Sequence, residues 1–369
     1  MKKLVLLLAS VCIVLLVLAA CAGPAPAPAP APSPAPSPKP APAPAPSPSP
    51  TAATFTLRYA VDFPEMSSIY QMTHKPMLDE IEKKSNGRIK FEKFLGGILG
   101  KGPENYDIVK TGKADMTLHA TNYTPGRFPL SDVFSLPGAF VTSIPNAQMV
   151  TAVYDRILYK EFPDVKSLSF HQAQLFYLYT VKKPVKTMDD LKGLKIRSAG
   201  GFATDALKAL GAVPVPIALA DMYTSLQTGV IDRAVIGPSG LEGYKLQEVL
   251  RHVIKFKFGT STHVGAMNQA TWDKLPPDLQ KIIQEAERIQ GTYQVAMVEK
   301  DDPKITQELI NRGGSSYVLP PDEEARWAAA IKPVVTAWLD GLKAKGQPAD
   351  ELMNIVREET KKRNVPFPY

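Results

Sequence analysis

Every second residue from Pro24 to Pro50 is proline, with Ala and Ser filling most of the gaps. Proline lacks a backbone N–H and holds φ near −65°, so a stretch in which alternate residues cannot donate joins neither a helix nor the middle of a sheet. An extended, polyproline-like spacer is expected, reaching at most about 90 Å at about 3.1 Å per residue. Any folded domain must therefore lie beyond it. Fourteen of the 35 prolines fall in this stretch, and with 44% hydrophobic residues in the 369-residue chain there is ample apolar material for a core.

The chain before the proline stretch has the layout of a secretion signal. Lys2 and Lys3 precede an apolar run from Leu4 to Ala20, slightly short for a membrane span. Its end, Leu18-Ala19-Ala20-Cys21, resembles a bacterial lipobox. That predicts a lipoprotein signal peptide over 1–20, a lipidated Cys21, and a Pro/Ala/Ser-rich linker over 21–53; an uncleaved anchor is the alternative on length. Cys12 would leave with the signal, so neither a disulfide nor a cysteine nucleophile is expected. Residues 1–53 carry three lysines and no acid, which leaves 40 basic against 36 acidic residues in 54–369. So small a surplus, without a dense Lys/Arg stripe, gives no reason to expect a nucleic-acid partner.

Beyond Thr54 the pattern becomes β-α-β. Phe55, Leu57, Tyr59 and Val61 alternate onto one strand face, a helix follows from about Ser67 until Asn86-Gly87 stops it, and Ile89 to Phe94 is a second strand. Leu95 to Gly102 turns through four glycines, Pro103 opens a helix that Gly112 ends, and Ala114 to His119 is a third strand. The rhythm recurs as strand Leu194 to Arg197, helix Phe202 to Leu210, strand Val213 to Val215, helix Ala220 to Thr228 and strand Asp232 to Ile236. Two such α/β units imply two lobes with a cleft between them. From Pro276 to Arg312 the spacing of Leu279, Ile283, Ala286, Tyr293 and Val298 stays helical, so one long helix is expected to bridge the lobes, kinked or interrupted by Pro303 near Asp302.

Signatures of catalysis fail on spacing. Gly96-Gly97-Ile98-Leu99-Gly100-Lys101-Gly102 has three residues between Gly96 and Gly100 where a phosphate loop needs four, and Gly102 where Ser or Thr should follow the lysine, so a close turn is expected. Ser239 lacks the nucleophile-elbow spacing. His74, His119, His171, His252 and His263 stand singly, without metal-ligand spacing. No catalytic residue, metal or cofactor is expected. His119, ending an apolar strand, and His263, before the expected crossover, are placed where open α/β sheets form crevices and are candidates for touching a bound solute.

Asp190-Leu191-Lys192-Gly193-Leu194-Lys195-Ile196-Arg197, followed by Leu210-Gly211-Ala212-Val213-Pro214-Val215-Pro216, resembles the signature stretch of TRAP transporter solute-binding proteins. Tyr223 to Asp232, Trp272 to Gln280, Gly112 to Met116, Phe128-Pro129-Leu130 and Leu136-Pro137 are similar to further motifs of that family, so the resemblance covers nearly all of 54–369. It implies an α/β, two-lobed fold of the type II periplasmic-binding-protein kind, with a central ligand cleft and a long helix bridging both lobes. Lobe I would comprise 54–175 and 263–302, and lobe II 176–262 and 303–369. The implied role is a lipid-anchored receptor on the extracytoplasmic face of the bacterial cytoplasmic membrane, in the periplasm or on the cell-wall side. It would close over a small organic acid and deliver it to a small and a large membrane subunit driven by an ion gradient, without catalysis. A binding protein serving an ATP-driven importer or a sensor kinase is the related alternative.

Within that resemblance, Arg197 matches the arginine that grips the solute carboxylate. An always-charged planar fork makes two parallel charge-assisted bonds that lysine cannot reproduce. Where sialic-acid receptors of the family carry a second arginine this chain has Tyr177, and where many members have Asn it has Ile236 or Gly237. An aromatic and an aliphatic surface in place of two polar grips points to a monocarboxylate with an apolar or aromatic body. A C4-dicarboxylate or a sugar acid is the alternative, should a second cation such as Arg127 reach the pocket. From the opposite lobe Phe63, His119, Asn122 and Tyr123 are expected at the cleft, and Phe202, at a helix start beyond Arg197, is expected either to stack on the ligand or to pack in the core.

Overall fold

Alternation buries Leu57 and Tyr59 on one face of the first strand, β1 (Phe55–Ala60), in the computed structural model, which describes residues 53–198 and 200–369. The expected signal, Cys21 and proline-rich linker lie outside the described residues. The further strands, in chain order, are β2 (Ile89–Phe94), β3 (Met116–Ala120), β4 (Lys166–Leu175), β5 (Tyr177–Thr180), β6 (Lys195–Ser198), β7 (Val213–Pro216), β8 (Arg233–Ile236), β9 (His252–Ile254), β10 (Thr260–Met267) and β11 (Ser315–Tyr317). The α-helices are α1 (Lys75–Lys84), α2 (Asn105–Lys110), α3 (Ile144–Arg156), α4 (Gly201–Ala209), α5 (Met222–Gln227), α6 (Pro238–Gly243), α7 (Gln269–Lys274), α8 (Pro277–Arg288), α9 (Gln290–Asn311), α10 (Pro321–Ala344) and α11 (Ala349–Arg363).

The strands form two sheets, ordered β2-β1-β3-β10-β4 and β11-β9-β5-β8-β6-β7. Each has a parallel end, β2-β1-β3 in the first and β8-β6-β7 in the second, because the β-α-β units return by helices that cover the faces. Each also takes in antiparallel strands from the crossover: β10 lies between β3 and β4, and β5 between β8 and β9. Helices close both faces of both sheets. Met77, Ile81, Leu279 and Ile283 pack on one face of the first sheet, with Met149, Val150, Val153 and Phe170 on the other. The second sheet buries Ala206, Leu207 and Trp327 on one side and Met222, Leu241 and Ile305 on the other. This is the two-lobed α/β architecture expected.

A long helix bridges the lobes as expected, but the helical stretch that opens at Pro276 is not continuous. It breaks at Ile289, where α8 stops and α9 starts; α9 is the bridge, with Met297 packing with the first sheet and Ile305 and Leu309 with the second. Pro303 does not interrupt α9. It removes only the bond to the carbonyl of Glu299, an exposed residue where water can replace it. A second bridge is α10, with Trp327 and Ile331 in the core of the second sheet and Val335 and Leu342 in that of the first. Beyond it α11 lays Leu352, Met353 and Val356 against Met149, Val150 and Val153 of α3, and Arg156 reaches Glu358 and Glu359 at 2.9 Å each. The segment 303–369 therefore does not stay with lobe II as expected: its C-terminal part belongs with the first sheet, because that is where its apolar face is buried.

One buried carboxyl gives this core a pH signature. Glu287 of α8 accepts a bond from the Ser169 hydroxyl at 2.8 Å, and burial pushes its pKa from 4.5 up to about 7. The folded state thus keeps a proton that the unfolded chain releases, so this stabilisation is full below pH 4.5 and is lost as pH rises through 7. Relative to the parent chain, Glu287→Gln should gain nothing near pH 4 and up to about 3 kcal/mol near pH 8. Denaturant melts across that range test this, and parallel stability curves would contradict it.

Candidate functional site

The loops that leave the C-terminal ends of β1, β3, β6, β7 and β8 converge where the two sheets face each other, and two cavities lie among them. The outer one, about 400 Å³, is lined by Asp62, Gly97, Lys101, Ser198 and Ala218. The inner one, about 40 Å³, is lined by Phe63, Ile69, Gln174, Phe176, Arg197, Ile236, Ser261, His263 and Gln294. Tyr123 and Leu219 border both. The inner cavity is the smaller of the two, yet it holds the buried charge, and its chemistry is the more specific.

Arg197 sits in β6 between its parallel neighbours β7 and β8, and only 2% of its surface is exposed. Its Nε donates to the Ile217 carbonyl at 2.9 Å and its Nη1 to the Val235 carbonyl at 3.0 Å, so the chain after β7 and the strand β8 fix the plane of the guanidinium. The Tyr123 hydroxyl, from the opposite lobe, accepts a further bond. No ion pair to Arg197 occurs among the described residues, and its pKa is lowered by burial, opposed only by the phenols of Tyr123 and Tyr244. An arginine keeps its charge, and a buried charge without a counter-charge costs several kcal/mol. The site therefore has room and reason for an anion.

Beside it lies a residue that sequence reasoning missed. Gln174, at the end of β4, uses Oε1 to accept from both the Ser239 backbone N–H at 2.7 Å and its hydroxyl at 2.9 Å. The N–H can only donate, so it fixes the orientation of the amide and leaves Nε2 as a donor at the inner cavity. A Cβ on Gly237 would stand 2.2 Å from Gln174 Cγ and 2.8 Å from Nε2. Gln174 thus fills, from another strand, the place a side chain at 237 would take, which no motif around 236–237 could reveal.

The expected residues divide. Arg197, Phe63, Tyr123, Ile236 and His263 line the inner cavity. Tyr177 does not: Phe176 lines it instead, while the Tyr177 hydroxyl donates to Asp302 at 3.4 Å and its ring lies 4.4 Å from the Lys255 ammonium. Neighbouring strand residues face opposite ways, so an error of one position reverses the side chain. His119 packs between Tyr106 and Phe128, with ring centroids 5.7 and 5.8 Å away, and burial lowers its pKa to about 3. Phe202 turns its ring edge to Trp338 at 5.5 Å, within the core. Asn122 stands behind the cavity wall, accepting a bond from Ser261 at 2.5 Å. Its carbonyl would be 2.4 Å from a Cβ on Gly200, whose φ of +96° also suits only glycine; the helix start beyond Arg197 approaches the other lobe this closely. Arg127 makes two bonds to Asp107, at 2.8 and 2.9 Å, and does not line the inner cavity. Lys101 reaches Asp221 across the outer cavity at 2.8 Å, an exposed pair contributing at most about 1 kcal/mol.

A family model described as bacterial extracellular solute-binding protein, family 7, matches residues 60–340. Among solved structures, the chain is similar to a TRAP solute-binding protein from Rhodoferax ferrireducens T118 in complex with copurified benzoate. The two share 29% identity, 84% of this chain and 99% of that chain are covered, and the TM-score is 0.80. A TRAP periplasmic solute-binding protein from Bordetella bronchiseptica with bound (R)- and (S)-mandelate is 26% identical over 84% of this chain and 99% of its own, with a TM-score of 0.75. The C4-dicarboxylate-binding periplasmic protein of Rhodobacter capsulatus is 26% identical over 69% of this chain and 77% of that protein.

The overlap of Gly237 and Gln174 is testable without a ligand. Gly237→Ala should destabilise the chain by about 1–3 kcal/mol through overpacking. In a Gln174→Ala background the same change should cost less than about 0.5 kcal/mol, a coupling that a double-mutant cycle by urea unfolding measures. Equal costs in both backgrounds would mean that Gln174 does not occupy that place.

Proposed function

The chain belongs to the bacterial extracellular solute-binding proteins of family 7, and on that premise we propose that it captures a small monocarboxylate with an apolar or aromatic body for a TRAP-type transporter. The observation that carries this is the buried Arg197 guanidinium, which has no carboxylate partner among the described residues. A ligand carboxylate supplies the missing charge, taking the donors that Ile217 and Val235 leave unused. Gln174 Nε2 offers a second, neutral donor. Phe63, Ile69, Phe176, Leu219 and Ile236 give the rest of the chamber an apolar surface suited to a ring or a branched chain. A dicarboxylate would bring a second charge to a chamber whose lining holds no other cation. The benzoate and mandelate held by the two similar receptors are acids of the proposed kind.

Arg197 and Gln174 approach from strands on either side of the crossover, and Phe63, Tyr123 and His263 from the first lobe. A solute held by both sides favours the closed arrangement of the lobes. Residues of both lobes wall the inner cavity, so entry requires the lobes to part. Binding is the whole of the proposed chemistry, with delivery to a small and a large membrane subunit powered by an ion gradient. Lipidation at Cys21 would tether the receptor outside the cytoplasmic membrane, the proline-rich linker letting it reach those subunits.

A thermal-shift screen of the full chain, unfolded and refolded to strip carried-over solute, tests this. Aromatic or branched monocarboxylates at 100 times Kd should stabilise it by about 2.7 kcal/mol. Arg197→Ala should remove the shift, since losing such a partner costs about 2–5 kcal/mol against roughly 8 for a micromolar ligand. Stabilisation by dicarboxylates or sugar acids alone would overturn the proposed ligand class.

A further inference from the structure

The wall of the inner cavity that the first lobe contributes carries polar atoms without partners. Gln294 lies on the part of α9 that packs with the first sheet; it is 2% exposed, yet neither Oε1 nor Nε2 is bonded. His263, in β10, also lines the cavity, and its Nδ1 has no partner. His171 stands edge-on to His263 with ring centroids 5.5 Å apart, and both of its nitrogens are unpartnered. Leaving a buried donor or acceptor unmade costs about 1–3 kcal/mol, and Gln294 leaves both. An apolar residue would fill the same space without that cost.

We infer that Gln294, with His263 in the lining of the same cavity, forms a second polar pole of the chamber that recognises a neutral hydroxyl on the ligand, distinct from the carboxylate grip at Arg197. The preferred solute is thus a hydroxylated aromatic or branched monocarboxylate. The chemistry is specific to a hydroxyl, which both donates and accepts and so satisfies an amide whose oxygen and nitrogen are both vacant. A second carboxylate fits poorly, because it cannot donate to Gln294 Oε1 and the neighbouring imidazole is neutral, its pKa lowered to about 4 by burial. A purely apolar acid leaves the amide unsatisfied. This inference rests on the proposed carboxylate site at Arg197.

Isothermal titration of the refolded full chain tests it, with benzoate and phenylacetate each compared with their ring-hydroxylated forms. At least one hydroxylated acid should bind about tenfold or more tighter than its parent. Gln294→Met should reduce that gap to within about twofold. Hydroxylated acids binding no better than their parents, or a gap that survives in Gln294→Met, would overturn the inference while leaving the carboxylate site intact. The comparison on the unaltered chain decides even if the variant fails to fold. Failure of every acid to bind, or binding indifferent to Arg197→Ala, would instead overturn the site on which the inference rests.

Discussion

A guanidinium held out of water, with no carboxylate beside it among the described residues, is the constraint around which the site is arranged. Two backbone carbonyls, Ile217 and Val235, aim Arg197 without neutralising it, since carbonyl dipoles are a poor substitute for a charge. They come from either side of β6, so the parallel end of the second sheet aims the arginine. A lysine there would be a point charge with no plane to orient. On the proposed function, the counter-charge arrives with the solute.

Everything else brings the opposite wall to that charge. Phe63 follows β1, Tyr123 follows β3, and His263 lies within β10, all from the first sheet. The sheets are joined by α9, α10, the run of β9 into β10 and the run of β4 into β5. Gln174 and Phe176 sit in that run, one on each side of Leu175, so the chain that joins the lobes also lines the chamber. On the proposed function, movement of the lobes and occupation of the chamber would be coupled through these shared residues; Gly200 allows the close approach to Asn122.

Much of this was legible beforehand, and the misses have physical causes. Strand periodicity placed β1, β2 and β8 within a residue or two, because apolar alternation and glycine stops are local signals. Arg197 was singled out through its motif, and it lines the inner cavity. Tyr177 was misassigned for Phe176 because the face of a strand depends on its register, which a single sequence does not fix. Gln174 was invisible because the position it fills belongs, in sequence, to Gly237, sixty-three residues away. His119 and Phe202 stand at the right ends of their elements but turn into the core, and direction is decided by tertiary packing. The polar stripe of Gln290 and Gln294 on α9 is readable as helical spacing, but its burial is not.

The most direct test of the missing counter-charge compares the monocarboxylate that best stabilises the chain with its own primary amide, by isothermal titration. The two match in size and shape and differ in charge. If Arg197 awaits a carboxylate, the amide should bind at least about a hundredfold more weakly, and Arg197→Met should erase the difference. An amide that binds as tightly as the acid, or a preference for the acid that survives in Arg197→Met, would contradict it.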